Sequence, residues 1–262
     1  VTARRWQQRI QRAEALAARH AFAAEILAFY VKLARFQESL YQRLNRAAEN
    51  NVSPPGLPEL PELLSSFRPY LSLVAEQGPE VIAKVARDLK NGGKTSWQEW
   101  LNHCWSAVER SPTQPQEFLT LAFLQPYAEF VRSRVPLQLD GYTHSLCPFC
   151  SRKPGLGVLR QQGDGGRRSL MCAFCLAEWD FRRLLCPGCG EEDHKKLPVY
   201  TAEEFSYIRV ECCDSCRTYI KTVDLSKHGL ADPLVDEISS VPLDLWAQEH
   251  GYAKLHLNLL GM

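Results

Sequence analysis

Nine of the ten cysteines in this 262-residue chain fall between residues 147 and 216, and eight of them form four C-x-x-C pairs. The pairs are Cys147-Pro-Phe-Cys150, Cys172-Ala-Phe-Cys175, Cys186-Pro-Gly-Cys189 and Cys213-Asp-Ser-Cys216, separated by 21, 10 and 23 residues. Two cysteines three apart in a tight turn aim both sulfurs at one point. Two such turns face to face supply a tetrahedron of thiolates. A gap of roughly 20 residues leaves room for a pair of short strands at about 3.3 Å per residue.

The unit repeats. Leu146-Cys147-Pro148-Phe149-Cys150 matches Leu185-Cys186-Pro187-Gly188-Cys189 at an offset of 39 residues, and Cys172/Cys175 match Cys213/Cys216 at 41. The repeat predicts two sequential modules, each with its own ion. One would use Cys147, Cys150, Cys172 and Cys175, the other Cys186, Cys189, Cys213 and Cys216. In a cross-braced alternative the first and third pairs share an ion; similar loop lengths in the two repeats argue against it. A chain of this length buries a core without covalent staples. The expected compartment is the cytoplasm, where thiols stay reduced and such pairs read as metal or redox sites rather than disulfides. Redox dithiols call for a βαβ setting, and no such pattern surrounds these pairs.

Four protein thiolates close the coordination shell, so hydrolysis at these ions is not expected, while electron transfer stays open if the metal is iron. Zinc and iron both accept this ligand set. Only the third pair is followed by the glycine that a rubredoxin-like loop favours, Gly190; the others are followed by Ser151, Leu176 and Arg217. Arg152, Lys153, Arg182 and Arg183 are candidates to offset the thiolate charge. Cys104, set among Trp100, Leu101 and Trp105, reads as a small buried hydrophobe, and Cys212 as a bystander beside the fourth pair.

Ahead of the cysteines the chain reads as helical. Trp6, Ile10, Ala13, Ala17, His20, Ala24, Leu27, Val31 and Ala34 form one stripe, and Phe22, Ile26, Phe29, Leu33, Phe36, Leu40 and Leu44 a second. Two adjoining stripes predict a helix buried on more than one side. Asn50 through Gly56 stops it, and Pro58, Pro61 and Pro69 are expected to segment the next stretch. Further helices are predicted after Pro79 up to Asn91-Gly92-Gly93, from a Thr95 or Ser96 cap through Val108, and after Pro115. Beyond Val135-Pro136 the texture changes to turns and short β-prone runs at 156–159, 207–210 and 219–223. Two helical pieces, near 233–238 and 243–249, close the chain. The expected class is α plus small β: an α-helical domain (1–138), a first tetrathiolate module (139–184), a second (185–226) and a helical tail (227–262).

Charge and motifs exclude several functions. The formal net charge is +1, with nine Lys/Arg against four Asp/Glu in residues 1–50 and six against twelve in 191–244. A zinc-ribbon nucleic-acid binder would use the basic run of Arg152, Lys153, Arg160, Arg167 and Arg168, but near-neutral net charge speaks against it, and no nucleic-acid partner is expected. No apolar run approaches the roughly 20 residues of a membrane span, and Arg4-Arg5 does not lead into an apolar stretch, so neither membrane nor export leader is expected. The seven histidines are scattered, and H-E-x-x-H, Walker A and G-x-G-x-x-G patterns are absent, so no enzyme is expected.

The four pairs in their 21/10/23 spacing, the twice-used Leu-Cys-Pro-x-Cys, Cys175-Leu-Ala-Glu178-Trp179, Arg183-Leu-Leu-Cys186, Cys216-Arg-Thr-Tyr219-Ile-Lys221 and the tail Glu249-His-Gly251-Tyr252-Ala253 resemble the FdhE family of formate dehydrogenase accessory proteins. The resemblance runs from about Leu146 to Tyr252; in the front half it is one of architecture and length. It implies a cytoplasmic, non-catalytic maturation factor that binds the formate dehydrogenase catalytic subunit and carries rubredoxin-like iron on the eight knuckle cysteines. A rubredoxin-like electron carrier or redox sensor is the alternative that the ligand set leaves open.

Overall fold

The computed structural model describes residues 2–48, 61–106, 114–137, 139–163, 165–258 and 260–261. The long front stripe is two helices, not one: α1 (Thr2–Arg19) and α2 (Ala24–Ala48). The break falls at His20, whose backbone is extended (φ −117°, ψ 95°), followed by a 3-10 turn at Ala21–Ala23. The two helices pack on each other, so the stripe carrying Trp6, Ile10 and Ala13 and the stripe carrying Phe29, Leu33 and Leu40 share one interior. A single straight helix would leave both stripes short of partners. The expected stop from Asn50 to Gly56 and the break at Pro58 lie outside the described residues.

Pro69 does not segment the chain. It sits inside α3 (Pro61–Gln77), where the lost N–H bond is outweighed by the complete burial of Phe67, Tyr70, Leu71 and Val74 around it. Helix α4 (Glu80–Lys90) follows Pro79 and stops at Asn91, as the spacing predicts. Helix α5 (Lys94–Ser106) begins one residue ahead of the expected Thr95 or Ser96 cap; Val108 lies outside the described residues. Helix α6 (Pro115–Arg134), opened by a capping box of Gln114 and Glu117, is buried continuously from Leu119 to Phe130 and is the axis against which α2, α4 and α5 pack.

The second half is one mixed sheet. Its strands are β1 (Pro154–Gln162), β2 (Gly165–Cys172), β3 (Glu178–Asp180), β4 (Val199–Tyr200), β5 (Ile208–Cys213), β6 (Thr218–Asp224) and β7 (Ala253–Lys254). They run in the order β3-β2-β1-β6-β5-β4, with β7 beside β6. Each repeat forms an antiparallel meander, and the parallel pairing of β1 with β6 welds the two meanders together. Gly157 makes this seam possible: it lies opposite Thr222, and a Cβ there would stand 2.2 Å from the Thr222 hydroxyl. Helix α7 (Pro233–Ser239), capped by Asp232, wedges between α1 and strands β1 and β6; α8 (Val241–Glu249) follows.

One hydrophobic core runs from the helices into the first meander and includes Cys147, Cys172 and Cys175. A smaller core, built on Phe205, Ile208, Val210, Tyr219 and Leu243, lies under the second. No helix among the described residues is long and apolar enough to cross a membrane.

Candidate metal centres

Each C-x-x-C pair is held by a backbone loop that closes on itself. The Cys147 N–H donates to Arg152 O and the Ser151 N–H donates back to Cys147 O, at 2.8 and 2.9 Å. Cys186 repeats both bonds with Glu191 and Gly190, at 2.9 and 3.0 Å. Cys172 donates to Ala177 O, and the Arg217 N–H donates to Cys213 O. Closing such a loop requires a left-handed residue right after the second cysteine, and all four positions comply: Ser151 (φ 57°), Leu176 (φ 56°), Gly190 (φ 79°) and Arg217 (φ 56°). Among the described residues the first, second and fourth of these are the only non-glycine residues at positive φ. A left-handed non-glycine residue costs about 1–2 kcal/mol, and three at equivalent places mark a functional constraint on the loop.

The loops gather the sulfurs in sequential fashion. Cys147, Cys150, Cys172 and Cys175 form one group and Cys186, Cys189, Cys213 and Cys216 another, with all sulfurs of a group within 4.8 Å of one another. Individual contacts are 3.4 Å (Cys147–Cys175), 3.5 Å (Cys150–Cys172) and 3.7 Å (Cys186–Cys216 and Cys189–Cys213). A tetrahedral site with metal–sulfur bonds near 2.3 Å has edges of about 3.8 Å, so both groups can coordinate an ion. Backbone N–H groups also point at sulfur, Phe174 at Cys172 (3.4 Å) and Gly188 at Cys186 (3.3 Å), as suits thiolate ligands. Within the first group, hydrogen bonds from Cys150, Cys172 and Cys175 hold the Cys147 thiol far below its ordinary range, while burial pushes Cys172 far above it. The four cysteines of either group would hold a cation, which would supply a redox couple if it is iron or a structural crosslink if it is zinc.

The two groups differ in their surroundings. At the first, the knuckle tips are Pro148-Phe149 and Ala173-Phe174, and Phe174 enters the helical half. Its ring lies 5.7 Å from that of Trp105 and 4.6 Å beneath the Arg152 guanidinium. Gln125 of α6 donates to Ala173 O at 3.1 Å. Arg152 does not face the thiolates. It donates to Cys104 O (2.9 Å) and Trp105 O (3.2 Å) at the C-terminal end of α5. At the second group the tips are Pro187-Gly188 and Asp214-Ser215, and Cys189 is exposed. Arg182 pairs with Glu192 at 2.9 Å.

Cys104 is buried on α5, and Cys212 is buried in the smaller core outside both sulfur groups, as their patterns predict. The basic run of the first module is largely consumed within the fold: Arg168 is buried against Glu211, Arg160 pairs with Glu178 and Arg167 with Asp180. Sequence reasoning missed a fully buried ionic group behind the sheet, where Lys221 and Lys254 meet Glu237 and Asp244. Its only signal in the sequence is a lysine inside the apolar strand run Tyr219–Val223.

A helical bundle fused to one mixed sheet that carries paired tetracysteine clusters defines a double-knuckle protein. A family model described as the FdhE central domain matches residues 146–183, and one described as the FdhE C-terminal domain matches residues 185–260. A protein named Protein FdhE homolog from Aquifex aeolicus is 32% identical over 200 residues, covering 76% of this chain and 70% of its own length. A homolog of the same name from Pseudomonas aeruginosa is 36% identical over 125 residues, which is 45% of this chain and 40% of that protein. The crystal structure of the FdhE protein from Pseudomonas aeruginosa shares the fold, with a TM-score of 0.70 over 97% of this chain and 95% of that one at 24% identity. The chain belongs to the FdhE family of formate dehydrogenase accessory proteins, which are maturation factors and not enzymes.

Proposed function

We propose that this chain acts in the cytoplasm in the maturation of formate dehydrogenase, binding the catalytic subunit through its knuckle half. In this reading Cys147, Cys150, Cys172 and Cys175 hold one metal ion and Cys186, Cys189, Cys213 and Cys216 a second, with iron ahead of zinc. Segments 139–184 and 185–226 are the two metal modules, 1–138 their helical support, and 227–262 the strap that ties support to modules.

The observation that carries the reading is an open cleft beside the second sulfur group. Leu184, Leu197, Val199 and Leu255 line it next to Cys186 and Cys213. Leu184 is 58% and Val199 53% exposed, and two such side chains on one cleft mark a contact surface better than scattered ones do. Two of the arginines that line it are neutralised, Arg168 by Glu211 and Arg209 by Asp224, so the cleft presents mainly apolar surface. Co-purification with a tagged formate dehydrogenase catalytic subunit tests the reading. The wild-type chain should be retained, and the double variant Leu184→Asp, Val199→Asp should be lost while still folding. A wild-type chain that is never retained contradicts the proposal.

A further inference from the structure

We infer that the two sulfur groups divide their labour: the first is an inert staple, and the second is an exchangeable, solvent-facing site for a soft divalent cation, opened at Cys189. The inference rests on the reading that both groups hold metal.

At the first group Cys147, Cys172 and Cys175 are buried at 1%, 0% and 0% exposure and belong to the main core. Phe174, locked between Trp105 and Arg152, closes the side facing the helices. Breaking a bond to such a thiolate means moving core side chains, and packed interiors yield little room. The second group is built differently. Cys189 is exposed and Cys216 half-buried, and none of its four cysteines belongs to either hydrophobic core. Its loop tips, Gly188, Asp214 and Ser215, all face solvent.

The rim of the second group is polar and exposed. Glu191, two residues after Cys189, accepts a hydrogen bond from the Ser215 hydroxyl of the fourth knuckle at 2.5 Å, tying the two knuckles together. The acids around the rim are paired, Glu191 with Lys196, Glu192 with Arg182 and Asp214 with Arg217. Exchange would be a ligand substitution: the Cys189 thiolate would leave the cation and a donor atom of the incoming chelator would take its place, with no change of oxidation state.

The test uses the intact, metal-loaded protein challenged with EDTA and followed by native mass spectrometry, with iodoacetamide added to mark freed thiols. One ion should leave about tenfold or more faster than the other, with Cys189 the first residue alkylated and Cys147, Cys172 and Cys175 unlabelled. Cys189→Ser should hold one ion, and Cys189→His, which keeps a ligand atom, should restore the second. Two ions leaving in a single phase, or first alkylation among Cys147–Cys175, overturns the division of labour alone. A protein that binds no ion overturns the metal reading and this inference with it.

Discussion

Three left-handed residues show how single positions serve the knuckles, and each offsets its strain differently. Leu176 is 3% exposed, and burying a leucine contributes about 1.5–3 kcal/mol, more than the 1–2 kcal/mol of a left-handed backbone. Arg217 lays its guanidinium over Tyr252 at 4.1 Å and donates to His250 O at 2.7 Å, tying the fourth knuckle to the tail. Ser151 is exposed, and its side chain offers no comparable burial. Ser151→Gly is therefore expected to leave stability unchanged or raise it by up to about 1 kcal/mol, while Ser151→Val should lower it by about 1–2 kcal/mol, read by urea unfolding of the metal-loaded protein. Equal effects of the two changes would show that the backbone there is not strained. At this scale the grouping of the eight sulfurs was legible, because C-x-x-C spacing alone brings sulfurs together. Gly190 was legible as a loop residue. Leu176 and Arg217 were not, since what compensates their backbone is a buried side chain or a neighbour distant in sequence, and Ser151 was not, since its exposed side chain carries no mark of the left-handed backbone.

Two seams between elements decide how the halves join. At the first, β1 runs parallel to β6 because Gly157 leaves room for Thr222. Gly157→Ala forces the strands apart and should cost about 1–3 kcal/mol in urea unfolding, with the metal complement retained. At the second, Arg152 caps α5 through two carbonyls and lies over Phe174. Charged hydrogen bonds of this kind contribute about 1.5–3 kcal/mol, so Arg152→Ala should destabilise by a similar amount and quench the environment-sensitive fluorescence of Trp105 or shift it to the red. An unshifted spectrum with unchanged stability would deny Arg152 that role. Helices α4 and α6 and strands β1, β5 and β6 were legible from proline, glycine and β-prone runs. The turn at His20 was not, since periodicity continues straight through it; only the need of both stripes for a partner dictates the fold-back. Pro69 misleads for a related reason, because burial on all sides of α3 overrides a local breaker.

For the molecule as a whole, the continuous core decides what loss of a knuckle cysteine should do. Cys147, Cys172 and Cys175 share packing with α5 and α6, so Cys147→Ser should loosen the helical half as well as the sheet, whereas Cys186→Ser should leave the helices intact. Hydrogen exchange of the α6 amides separates the two outcomes, and equal protection in both variants would contradict the shared core. The buried ionic group sets the response to acid. Burial works against the Glu237 carboxylate, but Lys221 and Lys254 outweigh it and hold it at about 2, below its ordinary 4.5. A group depressed in this way contributes its stability above the unfolded value and loses it as pH falls through the folded one. Stability should therefore drop between pH 4.5 and about 2. Glu237→Gln should flatten that limb and, by leaving two buried lysines facing Asp244 alone, cost about 3–5 kcal/mol at neutral pH. In the sequence only the lysine inside the apolar run of β6 announces this group, because its other members are spread over α7, α8 and β7.

The central claim is that two sequentially built tetrathiolate centres each hold one ion. Native mass spectrometry of the purified protein, paired with elemental analysis and a visible spectrum, addresses it most directly. Two ions per chain are expected, one lost in Cys172→Ser and the other in Cys213→Ser, with both ions absent only when the two changes are combined. A folded wild-type chain free of metal, or a single ion abolished by either change, would contradict it.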